Sequence, residues 1–422
     1  MMRLGKAAGF STRLRGMIVW SILGQAFYVS SQFCILILLT RFAEIEDVGR
    51  FGLAAAIATP VFFFFNLGLR FNQATDMSDS FGFRDFLLLR SVTTLCGLVT
   101  IGGIAVFAAP DTETLYFIAL VSITRAVDML SDLMYGVFQK NNRIDLMTVS
   151  QILRGVLSIS AFAFILLFNG SVTLALFSNF LSWLVVLAVF DAPQALRHIE
   201  KTPRRATLSE TWRLAVNSAP LGAALLVTSL GGVMPRLLLA QFVGLESLGY
   251  FTAVAYINQA AKMLFQALDR AVVGHLARLW HEGQSGEFHG LLLKLGALLS
   301  GSVFVAAFVM LPYNNPILSF VFGLDFDGYG DLMFLILISI AFNAPCQVYQ
   351  NALIAQRKFR LQLLNRITYT VFITVFCTMG IMFFGLNGAA IGMVGASLVQ
   401  IPVLYWIIGG RRTSAARGGG NV

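Results

Sequence analysis

The sequence predicts an all-α integral membrane protein of about 12 transmembrane helices, arranged as two six-helix lobes in a parallel pseudo-repeat around a central cavity. Three observations predict it. First, 57% of the 422 residues are hydrophobic and only 12% are charged, whereas a soluble domain carries roughly 25% charged residues. Second, the apolar residues fall into runs near the roughly 20 residues that cross a bilayer as a helix. Third, the basic residues alternate between the loops that join those runs.

The runs place spans at 17–40, 49–69, 87–109, 115–138, 147–168, 171–191, 214–239, 248–272, 291–311, 331–354, 363–384 and 386–408. The first follows Arg3, Lys6, Arg13 and Arg15. It is longer than the apolar region of a signal peptide, and no small-residue cleavage site closes it before Thr40 and Arg41, so it reads as a retained helix. Spans 115–138 and 248–272 contain charges. The last two are joined by a turn at Gly385–Gly388.

Charge fixes the orientation. The N-terminal segment and the loops on the same side hold 23 of the 30 Lys and Arg. The opposite loops hold Arg41 and Arg50 and are populated by acids such as Glu44, Asp111, Glu246 and Asp327. The excess of positive charge on cytoplasmic loops then puts both termini in the cytoplasm. The net charge of +9 is therefore a topology signal rather than a nucleic-acid footprint.

Residues 39–70 and 239–270 align without gaps at an offset of 200, with nine identities. Among them are Phe42, Glu46, Gly49 and Phe51, matched by Phe242, Glu246, Gly249 and Phe251 across a polar connection. Six spans separate the copies. An even number gives both the same orientation, as in a parallel repeat about an axis along the membrane normal. The expected organisation is an N-terminal lobe over 1–191, a basic cytoplasmic linker over 192–213, a C-terminal lobe over 214–410 and a basic tail over 411–422.

Ionisable residues within the spans are the candidate site. Span four carries Arg125, Asp128, Asp132 and Tyr135 within about 80° of one another on a helix. Facing lipid, three charges would cost about 8–10 kcal/mol, so they face the bundle interior or a wet cavity. Span eight repeats the stripe with Asn258, Lys262, Gln266 and Asp269. Span five adds Gln151, Arg154 and Ser158, span one Ser21, Gln25, Tyr28 and Gln32, and span ten Asn343, Gln347 and Gln350. Two readings stand at this point. The charges pair internally and lock helices together, as Arg125 and Asp128 at i,i+3 would. Alternatively, the stripes line one hydrated pathway, which five polar faces favour.

Arg125, Arg154, Lys262, Arg236 and Arg270 against Asp128, Asp132 and Asp269 give the interior a net positive charge. Such an interior attracts an anionic group. The three aspartates are also candidates for ion coupling. Pro60, Pro220, Pro235, Pro345 and Pro402 interrupt spans, as hinges or as static bends. The outer stretch 312–330 reads as an interfacial segment and the inner stretch 274–290 as an amphipathic surface segment.

No nucleotide-binding loop, catalytic triad or metalloprotease motif occurs. The short outer loops also argue against a membrane enzyme. Cys34, Cys96, Cys346 and Cys377 sit in apolar runs without metal-ligand spacing and read as packing residues. No cofactor or metal site is expected.

Four stretches carry a family resemblance: 44–57 (EIEDVGRFGLAAAI), 245–279 (LESLGYFTAVAYINQAAKMLFQALDRAVVGHLARL), 315–342 (NPILSFVFGLDFDGYGDLMFLILISIAF) and 352–367 (ALIAQRKFRLQLLNRI). They resemble the polysaccharide-export flippases, of Wzx type, of the multidrug/oligosaccharidyl-lipid/polysaccharide superfamily. The motifs are apolar patterns without a catalytic signature. The resemblance implies a bacterial inner-membrane flippase that moves undecaprenyl-diphosphate-linked oligosaccharide to the outer leaflet by cation-coupled alternating access. It also implies membrane lipid and the polysaccharide polymerase or export machinery as partners. A cation-coupled drug antiporter of the same superfamily is the alternative.

Overall fold

The computed structural model describes residues 2–76, 81–199, 207–356 and 358–409. At 2–15, 17–18, 260–271, 359 and 406–409 it describes the backbone alone. The described residues form helices and turns without strands. The chain divides into two compact units, residues 1–226 and 227–422.

In the first unit, α1 (Met2–Phe42), α2 (Ile45–Asn66), α3 (Leu69–Thr75), α4 (Phe83–Ala108), α5 (Thr112–Lys140), α6 (Ile144–Asn169), α7 (Val172–Val186) and α8 (Ala192–His198) follow in order. A π-helical turn, Leu187–Asp191, links α7 to α8. α9 (Leu208–Phe242) belongs to both units. The division falls inside it because Leu214 is buried with Leu67, Leu69 and Phe86 and Ser218 pairs with Asn72. The second unit continues with α10 (Leu245–Ala255), α11 (Ile257–His281), α12 (Ser285–Met310), α13 (Asn314–Phe322), α14 (Gly330–Ala355) and α15 (Phe359–Gly409).

The predicted spans fall on helical segments, but 49–69 crosses the break between α2 and α3, 248–272 crosses the junction of α10 and α11 at Tyr256, and 171–191 runs from α7 through the π-helical turn. Among the described residues nine helical stretches are long and apolar enough to cross a membrane. The two charged spans, on α5 and on α10–α11, fall outside that set. The stretch Arg360–Tyr405 holds two spans. They meet at Gly385, whose φ of 56° and ψ of −130° turn the chain within α15.

Helices in lipid gain little from apolar burial against one another, because acyl chains are equally apolar, so close packing decides their association. Small residues do this in both units. α1 packs along α6, where a Cβ at Gly155 would stand 2.7 Å from Phe27. Thr148 also donates to the Trp20 carbonyl at 2.7 Å. In the hairpin of α15, a Cβ at Gly392 would stand 2.5 Å from Cys377 Cα, so the two limbs touch backbone to backbone. Cys346 and Cys377 are buried in such packing, whereas Cys34 and Cys96 lie on exposed faces. Large apolar side chains such as Phe107 and Phe168 also point outward, as lipid contact requires.

The helix ends follow local chemistry. Asp111 caps α5 by accepting from the Thr114 amide at 2.6 Å. Gly170, left-handed at φ 71°, closes α6. Arg50 bonds Asp47 at 2.7 Å and approaches Glu113 at 3.2 Å and Asp111 at 3.6 Å, tying the start of α2 to the α4–α5 connection. Between residues 312 and 330, α13 buries Leu318 and Phe322 and exposes Phe320, an amphipathic arrangement that suits an interface. Over residues 274–290, Leu276, Leu279 and Phe288 are buried beneath an exposed face.

Candidate functional site

The charged residues of α5 are the centre of an ion-pair cluster in the first unit. Arg154, on α6, is only 1% exposed. Its Nη2 donates to Asp191 at 2.6 Å and its Nη1 to Asp128 at 3.2 Å. The guanidinium lies between the rings of Tyr135 and Trp183, 5.5 and 5.2 Å from their centroids. Those rings are themselves fixed. The Tyr135 and Ser150 hydroxyls share a 2.8 Å hydrogen bond, and Trp183 Nε1 donates to Ser158 at 2.8 Å. A buried guanidinium is tolerable only when charge partners and aromatic faces replace its hydration.

Asp191 reaches Arg154 because the π-helical turn shifts the last residues of the α7 segment inward. Extra-residue turns of this kind recur at functional sites. Asp128, about one-third exposed, is shared with Arg125 at 3.8 Å. One turn further along α5, Asp132 accepts from Arg70 at 3.1 Å, Asn66 at 3.3 Å and Arg90 at 3.4 Å. Arg90, wholly buried, also donates to the Asn66 carbonyl at 3.2 Å. That carbonyl ends α2 at a break where Leu67 and Gly68 take left-handed φ of 52° and 60°. The break frees backbone acceptors at membrane depth, and a buried arginine answers them.

The cluster thus sets four arginines against three aspartates among the described residues. Arg154, Arg90 and Asp191 are sealed, while Arg125, Arg70, Asp128 and Asp132 keep part of their surface. The sealed groups can orient. The partly open ones can meet an anion or exchange a proton.

The second unit holds a different feature, a cavity of about 160 Å³. Asn258, Asn343, Gln347, Gln350, Arg366 and Tyr369 line it, with hydroxyls of Thr370 and Ser397. Gln347 donates to Asn343 at 3.2 Å, and Asn343 to the Tyr369 hydroxyl at 3.5 Å. The residues come from α9, α11, α14 and α15.

The sequence-predicted residues therefore divide. Arg125, Arg154, Asp128 and Asp132 meet on one side of the first unit. Asn258, Asn343 and Gln347 meet in the cavity of the second. Gln25, Tyr28 and Gln32 are half-buried on α1, and Tyr28 packs 6.0 Å from the Trp183 ring. Arg236, on α9, is half-buried, and its Nε has no hydrogen-bond partner among the described residues. Lys262, Gln266, Asp269 and Arg270 lie on α11, with side chains outside the described residues.

Sequence reasoning missed Asp191, Arg70, Arg90 and Arg366. Asp191 sits where an apolar run ends, and the three arginines count as loop charges in a topology tally. The available signal was position: Arg90 lies inside the predicted span 87–109, and Arg366 inside 363–384.

A helical bundle with charges at membrane depth defines a polytopic membrane protein, and its fold is that of known transporters. The chain matches the lipid II flippase MurJ in an inward closed conformation with a TM-score of 0.72, at 12% identity, over 93% of this chain and 87% of that one. It matches an inward-facing multidrug resistance MATE transporter of the MOP superfamily with a TM-score of 0.62, at 16% identity, over 95% and 96%. By sequence it is 22% identical over 384 residues to the capsular polysaccharide biosynthesis protein CapF of Staphylococcus aureus, over 89% of this chain and 94% of that protein. The sequence model of the polysaccharide biosynthesis protein family matches residues 14–278, and the chain belongs to that family.

Proposed function

We propose that this protein is a flippase, not an enzyme, that carries a lipid-linked anionic oligosaccharide across the bacterial inner membrane for surface polysaccharide synthesis. Family membership supports the polysaccharide cargo, and the fold shared with a lipid II flippase supports movement of a lipid-linked head group. One observation carries the reading of mechanism: Arg125 and Arg70, beside Asp128 and Asp132, keep accessible surface in a cluster of four arginines and three aspartates among the described residues.

The cationic groups assigned to the head group are Arg125, with Lys262, Arg270 and Arg236 from the other half of the repeat. Arg154 is assigned a positioning role, because two carboxylates and two rings already occupy its guanidinium. Asp128 and Asp132 are the candidates for coupling to a proton or sodium ion, together with Asp269. The carrier lipid is undecaprenyl diphosphate. The two six-helix halves alternate access, with both termini cytoplasmic, and the polymerase or export machinery receives the product.

The drug-antiporter reading rests on the fold shared with a multidrug transporter. Loss of the gene separates the two. The flippase reading expects surface polysaccharide to disappear. The antiporter reading expects sensitivity to cationic compounds with polysaccharide intact. In the deletion strain, R125Q/K262Q is expected to reach wild-type membrane levels and fail to restore polysaccharide. Full restoration would sink the assignment of these two cations.

A further inference from the structure

The cavity of the second unit has a lining with a specific chemical demand. Arg366 is its one charged lining residue among the described residues. No hydrogen bond or ion pair to the Arg366 guanidinium occurs among those residues, in contrast to Arg154 and Arg90, which each hold carboxylates. A guanidinium on a membrane helix with no acid beside it is costly to bury alone. Its planar fork matches a carboxylate or phosphate through two parallel hydrogen bonds.

A second, independent group asks for the opposite partner. Gln350 is 7% exposed, lines the same cavity, and its Oε1 meets no hydrogen-bond donor among the described residues. Leaving such an acceptor unmet costs about 1–3 kcal/mol. A ligand that answers both groups brings an oxyanion and a hydroxyl donor together. The rest of the wall fits the same chemistry. The Asn343–Gln347 pair and the Tyr369 hydroxyl supply neutral donors and acceptors, which suit sugar hydroxyls better than a bare ion. The volume of about 160 Å³ far exceeds the roughly 10–15 Å³ that admits one water, which leaves room for a sugar unit.

We infer that this cavity is a binding site for a single sugar unit bearing an oxyanion, with Arg366 clamping the carboxylate or phosphate and Gln350 accepting from a ring hydroxyl. The inference rests on the reading of the cargo as a lipid-linked saccharide. It adds a subsite in the second unit that selects acidic sugars.

The test is ligand-observed saturation-transfer NMR on the purified full chain in lipid nanodiscs. The probes are glucuronate, glucose 1-phosphate, neutral glucose and inorganic phosphate. At least one of the two acidic sugars is expected to bind about tenfold or more tightly than glucose and than phosphate, the scale of one charge-assisted hydrogen bond. The better of the two identifies the oxyanion. Arg366→Gln is expected to abolish the preference over glucose. Arg366→Lys, which keeps the charge and loses the fork, is expected to retain part of it. Gln350→Leu should weaken both acidic sugars.

Equal binding of glucose and the acidic sugars, binding of phosphate as tight as either, or an Arg366→Gln protein that binds like wild type would each overturn the inference. These measurements use neither a carrier lipid nor a gradient. A failure here leaves the flippase reading standing, and a failure of R125Q/K262Q to lose export would not touch them.

Discussion

Replacing Asp191 by leucine tests whether the charged cluster is held from its buried side. Asp191 is wholly buried, Arg154 is 1% exposed, and their 2.6 Å contact is the shortest in the cluster. Removing one member of a buried pair leaves the other charge uncompensated, at about 3–5 kcal/mol in soluble proteins. Arg154 keeps Asp128 at 3.2 Å, but that carboxylate is one-third exposed and shared with Arg125. Contacts in membrane proteins run weaker, because the membrane-embedded unfolded state also finds partners. The expected loss for D191L is therefore about 2–4 kcal/mol, or roughly one and a half to three powers of ten in the folded ratio.

Asp191→Asn retains an acceptor and should lose less, about 1–2 kcal/mol. The double variant R154M/D191L removes the orphaned charge and is expected to recover most of the D191L loss, as apolar replacements of buried pairs do. Equilibrium unfolding in mixed micelles with added sodium dodecyl sulfate measures all three. A D191L protein within about 0.5 kcal/mol of wild type, the range of ordinary surface changes, would refute the reasoning. So would a double variant less stable than the single.

Two further expectations concern packing and pH. Gly392→Leu drives a side chain into the Cys377 backbone. Overpacking costs about 1–3 kcal/mol, and the upper end is expected because a main chain cannot rotate away. An unchanged thermal midpoint in detergent would contradict the hairpin geometry. At the start of α5, burial pushes the Asp111 carboxyl up, but the Thr114 amide and Arg50 outweigh it and hold it below its usual value. A depressed acid adds stability above its unfolded pKa of about 3.9, and that stability is lost as pH falls through the lower folded value. Amide exchange over 111–115 should therefore accelerate below about pH 4, and D111N should remove the acceleration. A pH profile that D111N leaves unchanged would exclude this cap as its source.

The bundle was legible because hydrophobic run length and loop charge are properties of the solvent, and the bilayer imposes them on every span. The stripe of Arg125, Asp128 and Asp132 was legible for the same reason, since charges in an apolar run must turn inward. Their partners were not. Asp191 arrives through a π-helical turn that shifts register by one residue, which no 3.6-residue periodicity contains. Arg90 is called in by the Asn66 carbonyl, which is free only because the chain breaks at Leu67 and Gly68. The break at Gly385 was visible as a glycine-rich turn between two apolar runs. The division within α9 was not, because it depends on Leu214 and Ser218 packing against residues far away in sequence.

The most direct test of the account reconstitutes the purified chain in vesicles containing a lipid-linked oligosaccharide, and follows how much of the inner-leaflet sugar becomes accessible to an external lectin. Wild-type protein is predicted to expose it, and R125Q/K262Q to leave it protected as in protein-free vesicles. Equal exposure by both proteins, or none by the wild type with a cation gradient in place, would contradict the claim that these cations carry an anionic head group across the membrane.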